Sequence, residues 1–409
     1  MRIAFGFDIF YPEENGVITS SINLANNLIA LGHEVVFFVP NEKEFQEDVI
    51  EDGIEIVHVK ALDSYIYQGL KILPVFSWYL NDVFVEQHID VVHITSPWLI
   101  SIALARCARR NKVPVLYTHH TLINDPIYIN YFFRNMTLAE LSTSAIWSVV
   151  FKPVFKLTWT ITAPSKNTCK EVEQHVKKFD IPVKYISNGI DVSVYTKPKT
   201  RKIPQDLVDF GLGDKTFLFV GRLGYEKGLD TLIEGFNIFH KKYKEAKLIV
   251  IGQGPAEKKI KEQVNSLNLN EAIFFAGYRS HEDIIESDLL TEINSFVTAS
   301  LTENQAMTII EALCSGVACI TADVPNMTNL AESDSALYFR PGDIEDLAEK
   351  FEMAYTDLDM IKQKRISAKK NIDRFDGRNV AKEFEAEYNK MLKRKEEGYY
   401  IPRNEFKKS

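Results

Sequence analysis

The chain has 409 residues, 45% of them hydrophobic and 25% charged, and its 48 Lys and Arg against 56 Asp and Glu give a net charge of −8. This near-average composition excludes a disordered, collagen-like or disulfide-stapled chain, and the length favours two domains with full hydrophobic cores. The N-terminus lacks a signal-peptide pattern and no segment is apolar enough to span a membrane, so we expect a cytoplasmic protein.

Short β-branched or aromatic runs alternate with helical segments through the first 190 residues. The runs are IAFGF, EVVFFV, IEIVHV, DVVHIT, PVLYTHH, WTITAP and VKYISN, and helix-period segments such as Ser20–Ala30 and Leu99–Arg110 lie between them. This alternation predicts βαβ units and a mainly parallel sheet. Because ligands of such sheets bind at the carboxyl ends of the strands, we expect the functional residues just after strands.

Two loops in this half follow predicted strands. One is YPEENGV, with Gly16, after the first strand, and the other begins with His119 and His120 after PVLYT. A strand-end histidine can orient a sugar hydroxyl or donate a hydrogen bond, but a satisfied structural imidazole is the more common case. The pattern alone therefore favours a structural role for both histidines.

Charge is distributed unevenly along the chain. Residues 1–100 carry 4 basic and 15 acidic residues, whereas residues 101–184 carry 12 basic and 5 acidic residues. The basic stretch also contains the aromatic residues Tyr131, Phe132, Phe133, Trp147, Phe151, Phe155 and Trp159, with Arg134, Lys152 and Lys156 among its cations. Aromatic anchors beside basic groups suit an anionic bilayer surface. The alternative, in which the aromatics are core and the charges are solvated, stays open.

Nucleic acid is not an expected partner, because the whole chain is acidic and contains no recognised binding motif. No bound metal is expected either. The four cysteines lack zinc-site spacing and are interpreted as reduced, mostly buried thiols. The Asp357-Leu-Asp359 sequence has the spacing of an Asp-x-Asp metal motif. It lies among predicted helices, far from any strand end, so it is not interpreted as a metal site.

A second alternation begins after a Lys- and Pro-rich linker near residues 193–206. Its strands are TFLFVG, AKLIVIG, AIFFAG, NSFVTA, VACITA and ALYF, and they predict a second Rossmann-like domain. The stretch 376–394 has an apolar period that predicts an amphipathic helix, with Val380, Ala381, Phe384, Tyr388 and Met391 on its apolar face.

The run GRLGYEKG follows the strand TFLFVG and precedes a helix. Its glycines, Gly221 among them, allow a phosphate to approach the backbone, and Arg222 and Lys227 can neutralise a diphosphate. A surface turn with two solvated cations is the alternative, and the two readings are equally supported by this segment alone. The turn Gly252-Gln-Gly254-Pro255 belongs to the same domain.

The run SLTENQAMTIIEALCSG follows NSFVTA and opens another helix. Glu303 in the loop and Glu311 two turns inside the helix can both address one elongated ligand, while amides from about Ala306 to Thr308 point at its phosphates. By spacing alone, the favoured interpretation is a capped helix with Glu303 as a first-turn acid and Glu311 on a solvated face.

Taken together, YPEENGV, SNGID, GRLGYEKG, IGQGP and TENQAMTIIEALCSG resemble the retaining GT-B glycosyltransferases marked by Glu-x7-Glu, a family 4-like group. The resemblance covers the chain from Met1 to about Asn389. It implies an α/β fold of two facing Rossmann-like domains with an interdomain cleft and a C-terminal crossover helix. The domains would be 1–195 for the acceptor and membrane, 196–375 for the nucleotide-sugar, and 376–409 for the helix that packs back on the first domain plus a charged tail.

The same resemblance implies roles for individual residues. His120, Glu303, Arg222 and Lys227 would form the catalytic set, and the donor would contact Gly16, Gly221, Arg222, Lys227, Ala306, Met307, Thr308 and Glu311. Arg222 and Lys227 would bind the diphosphate, Glu303 the donor sugar and Glu311 the ribose. A membrane or acceptor surface would be formed by Phe132, Phe133, Arg134, Trp147, Lys152 and Lys156.

Within this family, the chain looks most like the lipid branch that glycosylates diacylglycerol. The expected partners are a UDP-hexose donor, diacylglycerol and an anionic membrane surface, at the inner face of the cell membrane. The acceptor hydroxyl would attack on the leaving-group face, with no required cofactor and with Mg²⁺ at most stimulatory and not site-bound. Ala306 stands where the family usually has glycine, which would crowd the donor if the position needs positive φ or a close approach of the backbone.

Two alternatives remain. One is a GT-B hexosyl- or mannosyltransferase that uses a GDP-sugar or acts on a soluble, polysaccharide or other lipid acceptor. The other is a non-catalytic GT-B partner subunit. Such a subunit would tolerate the loss of Arg222, Lys227, Glu303 or Glu311, and all four are present.

Overall fold

The computed structural model describes residues 1–10, 16–40, 53–63, 71–72, 79–120, 147–370 and 372–400. The chain divides into two compact units, the first formed by Met1–Ile190 with Phe375–Ser409 and the second by Asp191–Arg374. The first unit therefore contains both ends of the chain, and the unit boundaries fall at 190/191 and 374/375, beside the expected boundaries at 195/196 and 375/376.

The first unit is built on a parallel sheet. Its strands are Arg2–Gly6 (β1), Glu34–Pro40 (β2), Ile54–Val59 (β3), Val91–Ile94 (β6), Val115–Thr118 (β7), Thr160–Ala163 (β8) and Val183–Tyr185 (β9), while Leu62–Asp63 (β4) and Lys71–Ile72 (β5) form a separate antiparallel pair. The order in the sheet is β3-β2-β1-β6-β7-β8-β9, and each of these pairings is parallel. Each strand of this parallel sheet matches a strand predicted from the sequence.

Helices cover this sheet. They are Gly16–Ala30 (α1), Tyr79–Glu86 (α2), Leu99–Arg110 (α3), Lys152–Phe155 (α4) after a π-helical turn at Trp147–Phe151, Lys166–Val176 (α5) with a 3₁₀ turn at Lys177–Phe179, and Gly377–Glu396 (α16) after a 3₁₀ turn at Ile372–Phe375. The predicted bounds of α3 are confirmed, whereas α1 begins four residues before Ser20. Ser20 and Ser21 are tolerated inside α1 because both hydroxyls donate to the Val17 carbonyl, at 3.0 and 2.7 Å.

The C-terminal helix α16 completes the core of the first unit. The five residues predicted for its apolar face are all at most 4% exposed and belong to a cluster with Ile18, Leu24 and Leu28 of α1. The packing is close, since a Cβ on Gly189 would lie 2.8 Å from Cα of Gly377. Burial of this face is what holds the C-terminal segment on the first unit.

The second unit has the same construction. Its strands are Thr216–Val220 (β10), Lys247–Ile251 (β11), Ile273–Gly277 (β12), Ser295–Thr298 (β13), Ala318–Ala322 (β14) and Ala336–Phe339 (β15). Its helices are Ser193–Thr196 (α6), Gln205–Phe210 (α7), Leu229–Lys242 (α8), Glu257–Ser266 (α9), His281–Ile285 (α10), Leu289–Glu292 (α11), Met307–Cys314 (α12), Pro325–Thr328 (α13), Ile344–Thr356 (α14) and Leu358–Ala368 (α15), with a 3₁₀ turn at Tyr225–Lys227. The strands form a parallel sheet in the order β12-β11-β10-β13-β14-β15.

Both sheets are doubly wound, so each has one point where the strand order reverses, and ligands of such sheets bind outside that point. In the second unit it lies between β10 and β13, which pair at Leu218 and Phe296. The loops that follow these two strands carry GRLGYEKG and SLTENQ. Strand order therefore brings together two motifs that are about 75 residues apart in sequence.

The corresponding point of the first unit lies between β1 and β6 and is occupied by a buried carboxylate. Asp8 is 1% exposed and accepts hydrogen bonds from the Ile100 amide at 2.5 Å and from the hydroxyls of Ser96 and Ser101 at 2.6 Å each. Burial raises the pKa of Asp8, and these donors oppose the rise. Asp8 thus satisfies the first amides of α3 and fixes the helix against the sheet.

Within the described residues, no helix combines the length and hydrophobicity needed to cross a bilayer. The four cysteines are free and buried, as the sequence predicted.

Candidate functional site

The loop after β10 is held against the end of β13 by a glycine. Gly228 has φ +61°, and a Cβ at this position would lie 2.3 Å from the carbonyl oxygen of Ala299. No other residue fits both the left-handed backbone and this close approach. Gly228 is the C-cap residue of the 3₁₀ turn and the N-cap residue of α8, so it sets the position of the preceding residue, Lys227.

Lys227 and Glu303 form an ion pair across the two loops, with side chains 19% and 15% exposed. The hydroxyl of Ser300 donates to Oε1 of Glu303 at 3.1 Å, and Nδ2 of Asn326 donates to the Glu303 carbonyl oxygen at 2.6 Å. Glu303 therefore lies in the loop, four residues before α12 begins at Met307. It is not the first-turn acid of a capped helix that the spacing alone favoured.

Arg222, the second cation of this loop, is paired within the loop. Its guanidinium lies 2.8 Å from Oε1 of Glu226, and the side chains of the two residues are 54% and 10% exposed. The Glu226 carbonyl oxygen also accepts from the Ser300 hydroxyl at 3.3 Å. Lys227 and Arg222 thus each contact an acid, and an anionic ligand that uses both cations has to exchange places with Glu303 and Glu226.

The helix α12 opens directly after this loop. Ala306 is its N-cap residue with φ −76° and ψ 100°, a conformation that alanine adopts without strain. The amides of Ile309 and Ile310 donate to the Ala306 carbonyl at 3.1 and 3.3 Å, which places the Met307 and Thr308 amides at the helix N-terminus. The concern that this position needs a glycine with positive φ is therefore removed.

Glu311 lies inside α12 and is not on a solvated face. Its side chain is 12% exposed, and its Oε1 lies 3.0 Å from Nε2 of His281, the first residue of α10. Tyr195 of α6 is buried nearby, and burial first, then the charge of Glu311, raises the pKa of this tyrosine. Glu311 is consequently a mostly buried carboxylate, and it lies where α12 contacts the start of α10.

The first unit places the expected histidine at the end of β7. His120 is partly buried, and burial lowers its pKa to about 4. Its neighbour His119 is fully buried, lies between Trp147 and Phe151 and contacts the Tyr117 hydroxyl at 3.0 Å. Burial, followed by the charges of His120 and His175, lowers the pKa of His119 to about 3. His119 is therefore a structural imidazole, whereas His120 stays a candidate for function.

A buried polar network supports this strand end. Nδ1 of His93 lies 2.8 Å from the hydroxyl of Tyr388 on α16, and its Nε2 lies 2.6 Å from Oγ1 of Thr118, which contacts Oγ1 of Thr162 at 2.7 Å. Burial, and to a lesser degree the charge of His120, lowers the pKa of His93 well below its usual value. The C-terminal helix is thereby connected by hydrogen bonds to the strand that carries His120.

We expect the first unit to lose stability in acid. The pKa of His119 and His120 is lowered on folding, so the unfolded chain takes up these protons first, and stability present above about pH 6.5 is lost as the pH falls towards 4. At pH 5, each of these neutral imidazoles lowers the free energy of unfolding by about 2 kcal/mol relative to pH 7.5. Trp78, Trp98, Trp147 and Trp159 all lie in this unit, so tryptophan fluorescence during urea unfolding at pH 7.5 and 5.0 measures the loss.

His119→Phe provides the control for this prediction, because phenylalanine suits the aromatic surroundings and cannot be protonated. It should reduce the difference in unfolding free energy between the two pH values. Equal stability of the wild type at pH 7.5 and 5.0 would contradict the assignment of neutral, buried imidazoles.

The expected membrane surface is corrected at Trp147. This side chain is 6% exposed and stacks on His175 with ring centres 3.8 Å apart, in contact with Phe151 and Phe155. It is core because the π-helical turn directs it towards the sheet, so it cannot anchor a bilayer. Lys152 is the first residue of α4, Lys156 is its C-cap residue one helical turn later, and both are partly exposed, while Phe132, Phe133 and Arg134 lie outside the described residues.

Gly16 is the first residue of α1, and the loop before it lies outside the described residues. Gly221 follows β10 with φ +154°, a backbone conformation that residues with a side chain rarely adopt, and it lies beside Gly252, where a Cβ would lie 2.0 Å from the Gly221 carbonyl oxygen. The two glycine loops of the second unit are thus in backbone contact. Among the described residues, no group of three or more His, Cys, Asp or Glu side chains is arranged to hold a metal.

Sequence reasoning missed four residues of this site: Glu226, His281, Ser300 and Asn326. The signal for two of them was available, because Ser300 directly follows a predicted strand and His281 lies four residues after the end of another. Glu226 and Asn326 carry no such signal, since their contacts depend on loop conformation.

Comparison with known proteins identifies two family matches. Residues 205–372 match the family described as glycosyl transferases group 1, and residues 14–194 match Glycosyltransferase Family 4. The two matches fall almost entirely within different units of the structure.

Curated relatives match over most of their length. An alpha-monoglucosyldiacylglycerol synthase of Streptococcus pneumoniae is 24% identical over 84% of this chain and 76% of its own, and one of Acholeplasma laidlawii is 26% identical over 78% and 80%. A GDP-mannose-dependent alpha-mannosyltransferase of Corynebacterium glutamicum is 26% identical over 78% and 72%.

Solved structures share the fold at low identity. HepE of Anabaena in complex with UDP has a TM-score of 0.74 and 17% identity, with 95% of this chain and 100% of that chain covered. A sucrose-phosphate synthase from Thermosynechococcus elongatus has a TM-score of 0.73 and 17% identity, with 96% and 99% covered.

Proposed function

The chain belongs to the GT-B glycosyltransferases of the group 1 and Family 4 type, and from this membership we propose that it transfers glucose or galactose from a UDP-sugar to diacylglycerol, with retention at the anomeric carbon. The product is a membrane glycolipid. The donor is held by the second unit, and the enzyme works at the inner face of the cell membrane.

The observation that carries the proposal is the Lys227–Glu303 pair at the strand-reversal point of the second sheet. Lys227 and Arg222 carry the positive charge that a departing nucleoside diphosphate needs, and the α12 N-terminus adds the Met307 and Thr308 amides. On donor binding, the phosphates replace Glu303 and Glu226 as partners of the two cations. Glu303 is then released to accept hydrogen bonds from the hydroxyls of the donor sugar.

The protein's main contribution in this reaction is electrostatic. The acceptor hydroxyl attacks the anomeric carbon on the face from which the diphosphate leaves, and a diphosphate oxygen takes the hydroxyl proton. The C–O bond to the sugar breaks as the bond to the acceptor oxygen forms, and UDP leaves. Preformed positive charge stabilises the charge that develops on the leaving oxygen, and no bound metal takes part.

The acceptor assignment has different support. Two relatives are named as monoglucosyldiacylglycerol synthases, and Lys152 and Lys156 present two cations on one helix face. The burial of Trp147, Phe151, Phe155 and Trp159 weighs against a membrane role for these aromatics and favours the alternative of a soluble acceptor in that respect. Because one relative is named as a GDP-mannose-dependent alpha-mannosyltransferase, a GDP-sugar is the alternative donor to be tested.

Transfer at anionic vesicles tests the membrane part of the proposal. Lys152→Glu with Lys156→Glu should lower both vesicle binding and transfer to diacylglycerol by at least about thirtyfold, because each of the two cations contributes about 1 kcal/mol near an anionic surface and both charges are reversed. The measurement is co-sedimentation and product formation with vesicles of phosphatidylglycerol and diacylglycerol.

The matched control reverses Lys241 and Lys244, which are exposed at the end of α8 in the second unit. This double variant should behave as the wild type. Unchanged vesicle binding and transfer after reversal of Lys152 and Lys156 would exclude α4 from the membrane contact.

A further inference from the structure

The contact between His281 and Glu311 has a defined geometry. His281 is the first residue of α10, and the helix start is fixed because the Ser280 hydroxyl accepts from the Asp283 amide at 3.1 Å. From there, Nε2 of His281 reaches Oε1 of Glu311 at 3.0 Å. The two residues belong to different helices, since His281 begins the helix after β12 and Glu311 lies in the helix after β13.

Glu311 needs such a partner. Its side chain is 12% exposed, so water solvates the carboxylate only in part, and the charge of Glu311 acts on the buried Tyr195. A charged group in this setting is costly unless it is hydrogen-bonded. The imidazole, in contrast, is 47% exposed.

The contact also limits the directions in which Glu311 can accept. A carboxylate has about four acceptor positions, and a donor at Oε1 occupies one of them. The remaining positions suit a pair of adjacent hydroxyl groups, which is the chemistry of a ribose. Without the imidazole, the glutamate side chain has rotameric freedom that has to be lost when a ligand binds.

We infer that His281 is a positioning residue, which orients Glu311 to accept hydrogen bonds from the ribose 2′- and 3′-hydroxyls of the donor nucleotide. The inference rests on the nucleotide-sugar donor of the proposed function, and it is independent of the sugar and of the acceptor. His281 acts through Glu311 and selects ribonucleotides over their deoxy forms.

The test is calorimetric binding of UDP and of 2′,3′-dideoxyuridine diphosphate, with GDP and its dideoxy form measured in parallel. His281→Ala should weaken binding of the ribonucleotide about tenfold, the loss expected for one hydrogen bond to a charged group, and should change binding of the dideoxy form less than twofold. His281→Gln places an amide donor near the position of Nε2 and should restore ribonucleotide binding to within about threefold.

Glu282→Ala is the matched control, because Glu282 is the next residue of α10 and is exposed. It should bind both nucleotides as the wild type does. Equal weakening of the ribonucleotide and dideoxynucleotide by His281→Ala, or no weakening of either, would overturn the positioning role.

The outcomes separate this inference from the proposed function. If the wild type binds neither UDP nor GDP, the inference and the proposed donor site fail together. If nucleotide binding follows the expected pattern and no glycolipid forms, the role of His281 stands and the proposed acceptor is wrong.

Discussion

Lys227→Ala is expected to lower the rate of hexose transfer about a thousandfold, the loss seen when a preorganised charge is removed from the leaving-group side of a reaction. The backbone position of Lys227 is set by Gly228, and its side chain is paired with Glu303 before the donor binds. The loss should appear in both transfer and UDP binding, because the cation contacts the diphosphate before and during the reaction. Product formation and UDP calorimetry measure the two effects.

The matched control is Lys215→Ala. Lys215 lies just before β10, whereas Lys227 follows its end, and it pairs with Glu245 on the surface with half of its side chain exposed. This variant should retain activity within about twofold, since exposed ion pairs contribute little. Transfer at wild-type rate by Lys227→Ala would remove the diphosphate role from this loop and favour the non-catalytic subunit.

Glu303→Gln is expected to lower transfer about a hundredfold without weakening UDP binding. The amide is nearly the same size and keeps the contact with Ser300, but it loses the charge that holds Lys227 and that accepts from the sugar hydroxyls. UDP has no sugar beyond its ribose, so it makes no sugar contact with Glu303, and in the variant its phosphates no longer compete with the Glu303 charge for Lys227. The contrast with Lys227→Ala separates a sugar contact from a phosphate contact.

Glu245→Gln, in the surface pair with Lys215, is the corresponding control and should leave both quantities unchanged. If Glu303→Gln weakens UDP binding as strongly as it weakens transfer, Glu303 acts by holding Lys227, and its contact with the donor sugar is not supported.

The predictable parts of this molecule are those fixed by local pattern. Strands such as Thr216–Val220 and Ser295–Thr298 are short, apolar and bounded by turn residues, so their type and position follow from the sequence. The rule that ligands lie at strand ends pointed to the two loops that carry Lys227 and Glu303, whereas the roles expected for these residues came from the family resemblance. The apolar face of α16 followed from the helical spacing of its apolar residues.

The pairing of side chains was not predictable, because it depends on which strands are neighbours. Lys227 meets Glu303 only because β10 lies beside β13, and Tyr388 meets His93 only because α16 returns to the first sheet. Spacing alone placed Glu311 on a solvated face, and the helix instead turns it towards α10. These contacts are tertiary, and a local pattern carries no information about them.

Trp147 illustrates an error of a different kind. Composition around it is basic and aromatic, which is typical of a membrane surface, and the same composition also describes a core helix with solvated lysines at its edge. The π-helical turn at Trp147–Phe151 decides between the two by directing the ring towards His119 and His175. Sequence periodicity assumes regular helix geometry and cannot anticipate such a turn.

Transfer from a panel of UDP- and GDP-hexoses to diacylglycerol, in mixed micelles with and without anionic lipid and followed by chromatography of the products, tests the proposed donor and acceptor together. We expect a monohexosyl diacylglycerol from UDP-glucose or UDP-galactose, with more product when anionic lipid is present. Donor hydrolysis without glycolipid, or glycolipid formed from a GDP-hexose alone, would contradict this proposal.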